Sequence, residues 1–170
     1  GMGLDRERDL SARVEPFFPA YALAMNLVLI AGDAFGFLFS WELMSLTSWV
    51  LVVSRHRDAG NRHAGHVYLV MAAIGTASLL FAFGGLAGAA GNYAFDAIRA
   101  APPGPLVAGL VLAGAIFGAG SKAGIAPLHA WLPLAHPAAP SHVSALMSGV
   151  MTKVAIYGII RIVFDLLGTP

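Results

Sequence analysis

Apolar residues run through this chain in long blocks, with charges confined mostly to the gaps between them. The stretch from about Phe17 to Arg55 is nearly twice the length of one membrane span, so it must fold back on itself. Gly32-Asp33 is the natural turn, because glycine tolerates unusual backbone angles and the aspartate prefers water. The pattern predicts one helix at about 17–31 and a second at about 35–54. A polar loop, RHRDAGNRH, precedes a third helix at about 64–90, and a Pro-rich loop follows around Asp96–Pro105. A fourth helix runs from about Leu106 to Lys122 and breaks at Gly124–Pro127. After a short amphipathic piece, HAWLPLAH, a fifth helix spans about Ser141–Leu167. The expected fold is all-α: an integral membrane bundle of about five transmembrane helices, one of them broken. Residues 1–15 read as a polar N-terminal segment and residues 16–170 as the membrane domain.

Composition sharpens the class. Of 170 residues, 58% are hydrophobic and 11% charged, against roughly 25% charged in a soluble domain. A net charge of +1 gives no reason to expect nucleic acid as a partner. There is no cysteine, which excludes disulfides, iron–sulfur clusters and thiolate metal sites within the chain. The N-terminus lacks the basic-then-apolar order of a signal peptide. With five spans, Arg6, Arg8, Arg13, Arg55, Arg57 and Arg62 fall on one side, and Arg99 and Arg161 on the other. That imbalance orients the first side to the cytoplasm.

Against this background a few ionisable residues stand out. Lys122 and Lys153 are the only lysines, and each lies inside a predicted helix, while the eight arginines lie near helix ends or in loops. Arginine is effectively always charged, whereas lysine gives up its proton readily when its surroundings change. Glu42 is the one acid well inside a span, about 12 Å from the start of its helix, and Lys153 is about 18 Å into the fifth. An ionisable group at such depth costs about 2.5–3.5 kcal/mol on insertion scales and so needs a partner, water or a function. A structural Glu–Lys pair or a snorkelling lysine is the plain alternative. The break rich in Gly124, Pro127, Pro133, Pro137 and Pro140 frees carbonyls that are tolerated at depth only when buried in protein or lining a wet cavity. Discontinuous helices of this kind mark ion sites in transporters.

His129, His136 and His142 fall close to the break and are candidates for proton relay, since histidine titrates near neutral pH. No carboxylate accompanies them, so no metal site is expected. Ser40, Ser45, Thr47, Ser48 and Ser121 form a polar seam that either holds water or packs helices. Gly114, Gly118, Gly120 and Gly124 carry two Gly-x-x-x-Gly spacings, read as close helix packing, and Arg161 with Asp165 reads as an interfacial ion pair. His56, His63 and His66 read as loop or interfacial residues.

Three stretches carry a resemblance: FSWELMSLTSW in the second helix, GSKAGIAPLHAWLPLAHPAAPSHVSALMSGV across the break, and MTKVAIYGIIR in the fifth. The chain resembles the proton-conducting antiporter-like membrane subunits of respiratory complex I, multi-subunit sodium/proton antiporters and membrane-bound hydrogenases. It looks most like the hydrogenase-4 component B and formate hydrogenlyase branch. The resemblance covers nearly everything after Phe17. It implies the first of two inverted five-helix repeats, hence a fragment or one part of a split subunit. It also implies that Glu42 tunes Lys122, whose proton exchanges with Lys153 through water and polar groups. Other membrane subunits of a multi-subunit respiratory or hydrogenase complex, lipid and protons are the implied partners. The implied location is the inner (cytoplasmic) membrane, multi-pass, with no cofactor or redox centre of the chain's own. A structural scaffold, or a sodium/proton antiporter subunit with inert paired charges, is the alternative.

Overall fold

The computed structural model describes residues 16–53, 59–129, 131–139 and 141–168. The polar segment 1–15, His56 and the arginines at 55 and 57 lie outside the described residues. The elements are α1 (Phe17–Ile30), α2 (Ala34–Val52), α3 (Ala59–Ala90), α4 (Phe95–Ala100), α5 (Pro105–Ala123), α6 (Leu132–Ala138) and α7 (Ser141–Leu166). Within α7 the turns at Met147–Met151 and Arg161–Leu166 are widened to π-helix. Helices α2, α3, α5 and α7 are each long and apolar enough to cross a membrane, and α1 is a shorter apolar helix. The protein is therefore an all-α, multi-span membrane bundle with one interrupted helix.

Local chemistry explains the boundaries. Asp33 ends the turn after α1 and accepts a 2.7 Å bond from the backbone N–H of Gly36, satisfying one of the free donors of α2. Pro105 opens α5, where its missing N–H is no loss. Gly124 closes α5 in the left-handed conformation, φ +78°, and the N–H of Ile125 returns to the carbonyl of Gly120 at 3.0 Å. The break expected at Gly124–Pro127 is thus present, and helix resumes only at Leu132.

Two expectations are corrected. The third helix begins at Ala59 rather than about 64, so His63, of the loop or interfacial alternatives, sits on its exposed first turns together with His66. At 32 residues α3 is ~48 Å long, more than the roughly 30 Å hydrocarbon layer. Its polar first turns extend the helix without needing apolar surroundings, a signal that hydrophobic pattern alone does not carry. The Pro-rich loop also contains α4, whose Asp96 in the first turn and Arg99 in the last complement the helix dipole.

Packing is governed by small residues. Helices α3 and α5 touch backbone to backbone: a Cβ on Gly118 would lie 2.7 Å from the carbonyl oxygen of Gly75, and one on Gly75 would lie 2.7 Å from Ser121 Oγ. Gly114 faces the carbonyl of Ser78 and the methyl of Ala82 in the same way. The first Gly-x-x-x-Gly spacing is therefore a helix-packing device, whereas Gly120 and Gly124 serve the turn. Gly158 of α7 rests against the rings of Phe37 and Trp41. At one end, the backbone of Asp33 pairs with that of Ala94, clamping the α1–α2 turn to the α3–α4 turn.

This packing makes a prediction. Gly118→Val overfills the α3–α5 contact and should cost about 1–3 kcal/mol, read as a lower thermal midpoint in detergent. Gly88→Ala meets open space and should leave the midpoint unchanged or slightly raised.

Candidate functional site

Lys122 lies in the last turn of α5, and only 4% of it is exposed. Because α5 approaches α3 so closely, the lysine reaches across to α2, where its Nζ donates to Ser45 Oγ at 2.6 Å. Ser45 in turn donates to the carbonyl of Trp41 at 2.9 Å. The ammonium sits 5.5 Å from the ring centroid of Trp41 and 5.7 Å from that of Tyr68. Tyr68 shares a 2.6 Å hydrogen bond with Ser48, and its ring meets Trp131 edge-on at 5.1 Å. Trp131 follows the break and donates from Nε1 to the carbonyl of Ser121 at 2.7 Å, tying the interrupted segment back to α5. Tyr68, Met71, Ala72, Ser121, Lys122 and Trp131 line a small cavity beside the ammonium.

Glu42 is half-buried on the same helix as Ser45, one turn earlier, and accepts a 2.7 Å hydrogen bond from Thr76 Oγ1 of α3. Glu42 and Lys122 form no direct ion pair: the carboxylate is bonded to Thr76 and the ammonium to Ser45.

Lys153 is placed differently. It is on the outward face of α7, exposed along with Gly149, Val150, Ile156 and Ile160. Its side chain folds back along the helix and donates to the carbonyl of Ser148 at 2.8 Å, an acceptor shared with Thr152 Oγ1 at 2.8 Å. Side chains on a helix lean toward its N-terminus, and the π-turn at Met147–Met151 lies where this lysine reaches. Thus Glu42 and Lys122 belong to one buried neighbourhood, and Lys153 presents its charge away from it.

His129 is exposed in the break, His142 is exposed at the start of α7 with its ring 5.4 Å from Phe18, and the His136 side chain lies outside the described residues. The seam residues Ser40, Ser45, Thr47, Ser48 and Ser121 are all buried and bond back to carbonyls of their own helices. Only Ser45 and Ser48 of these also reach a side chain of another helix among the described residues. Sequence reasoning missed Trp41, Tyr68, Thr76 and Trp131. An aromatic or a threonine inside an apolar helix reads as core, and only the spatial meeting of four elements reveals otherwise.

The Arg161–Asp165 pair forms at 2.7 Å, and Arg99 of α4 joins it, bonding Asp165 through Nε at 2.7 Å and Nη2 at 2.8 Å. The bond to Asp165 raises the pKa of the Arg99 guanidinium above its ordinary value. Arg161 also bonds the Tyr157 hydroxyl, which donates to the carbonyl of Leu29 at 2.9 Å. This cluster pins α1, α4 and α7 together at the end opposite the start of α3.

Residues 31–169 match the family described as NADH:quinone oxidoreductase/Mrp antiporter, transmembrane. The chain belongs to this antiporter-like membrane family. It is 43% identical over 151 residues to hydrogenase-4 component B of Escherichia coli K12, covering 89% of this chain and 22% of that protein. Among solved structures, it resembles a chain of the archaeal membrane-bound sulfane sulfur reductase, with TM-score 0.79, 25% identity, and 89% of this chain and 32% of that one covered. It also resembles a chain of the Mrp complex from Dietzia sp. DQ12-45-1b, with TM-score 0.78, 26% identity, and 89% and 29% covered. The chain spans between a fifth and a third of the length of these antiporter-like relatives.

Removing the acceptor of the buried ammonium tests the geometry. Ser45→Ala leaves Lys122 without its partner on α2 and should destabilise the bundle by about 1–3 kcal/mol. Ser78→Ala, which deletes an exposed hydroxyl bonded to its own helix, should stay within about 0.5 kcal/mol in the same thermal assay.

Proposed function

We propose that this chain is part of a proton-translocating membrane subunit of a redox-driven complex of the hydrogenase-4/formate hydrogenlyase or NADH:quinone oxidoreductase type. The observation that carries this reading is Lys122, a charge-bearing side chain buried at a helix break, bonded to a neutral hydroxyl and within electrostatic reach of Glu42. A lysine held by a serine loses or regains a proton without first separating from a bonded carboxylate. Glu42, one turn from Ser45 on the same helix, tunes Lys122. Lys153 receives the proton on the far side of α7 and passes it onward.

The partners are other membrane subunits. Lys153 lies mid-helix on a face that is otherwise apolar, and a charge there is costly against lipid. Protein or water therefore covers this face in the assembled complex. The matched relatives named for larger complexes, such as the sulfane sulfur reductase and the Mrp complex, support such an assembly. The setting is a multi-pass subunit of the inner (cytoplasmic) membrane, with His129, His136 and His142 available near the break to pass protons.

The structural-scaffold reading draws support from one fact: Glu42, Lys122 and Lys153 each have a neutral hydrogen-bond partner and are satisfied as they stand. Substitution at Lys153 separates the two. Lys153→Arg keeps the charge but cannot release a proton at working pH, and Lys153→Ala removes both. Both variants should abolish proton transfer, followed with a pH-sensitive dye in vesicles bearing the assembled complex, while insertion and assembly stay normal. A scaffold predicts the reverse order, with arginine tolerated and alanine loosening the bundle. Normal pumping by the arginine variant defeats the relay.

A further inference from the structure

We infer that Trp41 and Tyr68 form a two-walled aromatic cradle that positions the Lys122 ammonium for proton exchange, with Tyr68 registering that position against α7. The inference rests on the relay reading and assigns roles to two residues that the relay itself does not name. The ammonium lies within 6 Å of both ring centroids, the distance at which the electron-rich face of an aromatic ring attracts a cation. Among the described residues, its side-chain partners are these two faces and the neutral Ser45. In an apolar bundle, the faces supply the attraction that a directly bonded carboxylate supplies elsewhere.

Each wall is fixed independently of the lysine. Trp41 stacks on Phe37 at 5.8 Å with planes 19° apart, and Gly158 of α7 admits its ring edge. Its indole Nε1 is buried with no hydrogen-bond partner among the described residues, so packing and not an N–H bond sets the ring's orientation. Tyr68 is held at its hydroxyl by Ser48 and at its edge by Trp131. The same hydroxyl approaches Met151 Sδ at 3.8 Å. Met151 ends the first π-turn of α7, two residues before Lys153. Tyr68 therefore touches the ammonium's surroundings with its ring and the helix of the second lysine with its hydroxyl. A shift of α7 along its π-turn would move the wall against which Lys122 rests.

Two readouts test this. In the 170-residue chain with 13C-labelled lysine, only Lys122 and Lys153 give side-chain signals. The cradle predicts that the εCH2 protons of Lys122 are moved upfield by ring currents and that Lys153 keeps ordinary positions. Tyr68→Met and Trp41→Met, which roughly keep volume and remove a ring, should each move the Lys122 signal back downfield, whereas Tyr68→Phe should not. In the assembled complex, each Met variant should slow proton transfer about thirtyfold, the scale of one desolvated cation–π contact. Tyr68→Phe keeps the ring but loses the hydroxyl that meets Ser48 and Met151 and should fall between parent and Tyr68→Met, a full rate from it overturning the registration against α7. Trp41→Phe keeps a weaker face and should fall between parent and Met, which preserves the test if a Met variant does not insert. An unshifted Lys122 signal overturns the cradle, as do ring-less variants, or Trp41→Phe, working at the full rate while Lys122→Ala is inactive. A full rate from Lys122→Ala overturns the relay reading itself, and with it the purpose of the cradle, even if the ring-current shift is present.

Discussion

A single buried ammonium organises the bundle. Lys122 must find polar company where almost none exists, and three features of the fold converge to supply it. Gly75 and Gly118 bring α3 and α5 into backbone contact, which places Tyr68 and the lysine in the same layer. Ser45 offers a hydroxyl from α2. The helix ends immediately after the lysine at Gly124, so the cation sits at the carbonyl end of α5, where the helix dipole favours positive charge. Move any of the three, and the lysine faces the insertion cost of roughly 2.5–3.5 kcal/mol without relief. Close packing, the break and the polar seam are thus one arrangement seen from three sides.

The break itself is tied to this arrangement and is not a loose connection. Trp131, just after the break, returns its indole N–H to the carbonyl of Ser121 and braces Tyr68 with its ring. The discontinuity therefore stays in register with the lysine. At the opposite end, the Arg99–Asp165–Arg161–Tyr157 cluster fixes the far half of α7, while the nearer half carries a π-turn beside Lys153. π-turns inside α-helices concentrate at functional sites. One helix thus carries two widened turns, one locked by this cluster at Arg161–Leu166 and one beside Lys153.

Much of this was legible in the residues. Span positions followed from apolar block length, the break from Gly124 and its prolines, and close packing of α5 from the Gly114–Gly118 spacing, though not which helix it meets. Glu42, Lys122 and Lys153 stood out because charge at depth is rare. What the chain's linear order could not convey was partnership. Glu42 and Lys122 suggested a pair, but the carboxylate found the hydroxyl of Thr76 on α3 and the ammonium that of Ser45 on α2. Tyr68, nine residues into α3, looks like any core aromatic until α2, α5 and α7 are folded around it. Helix ends made of polar residues, such as the first turns of α3, were hidden because hydrophobic pattern does not mark a helix that continues past the membrane.

The outward aspect of Lys153 then has a physical consequence for the whole. Val154, Ala155, Gly158 and Ile162 turn α7 toward α5 and α2, which forces the residues between them, Lys153, Ile156 and Ile160, to the opposite face. A helix cannot bury both stripes within this bundle, because the inward stripe is already filled by Phe37, Trp41 and Ala119. The second lysine is consequently a boundary residue: α7 separates the buried surroundings of Lys122 from the exposed face that carries Lys153. The proposed proton transfer between the two lysines has to cross or round this helix. The π-turn at Met147–Met151, with its carbonyl of Ser148 already turned to Lys153 and its Met151 sulfur against Tyr68, is where the two faces come closest in chemistry.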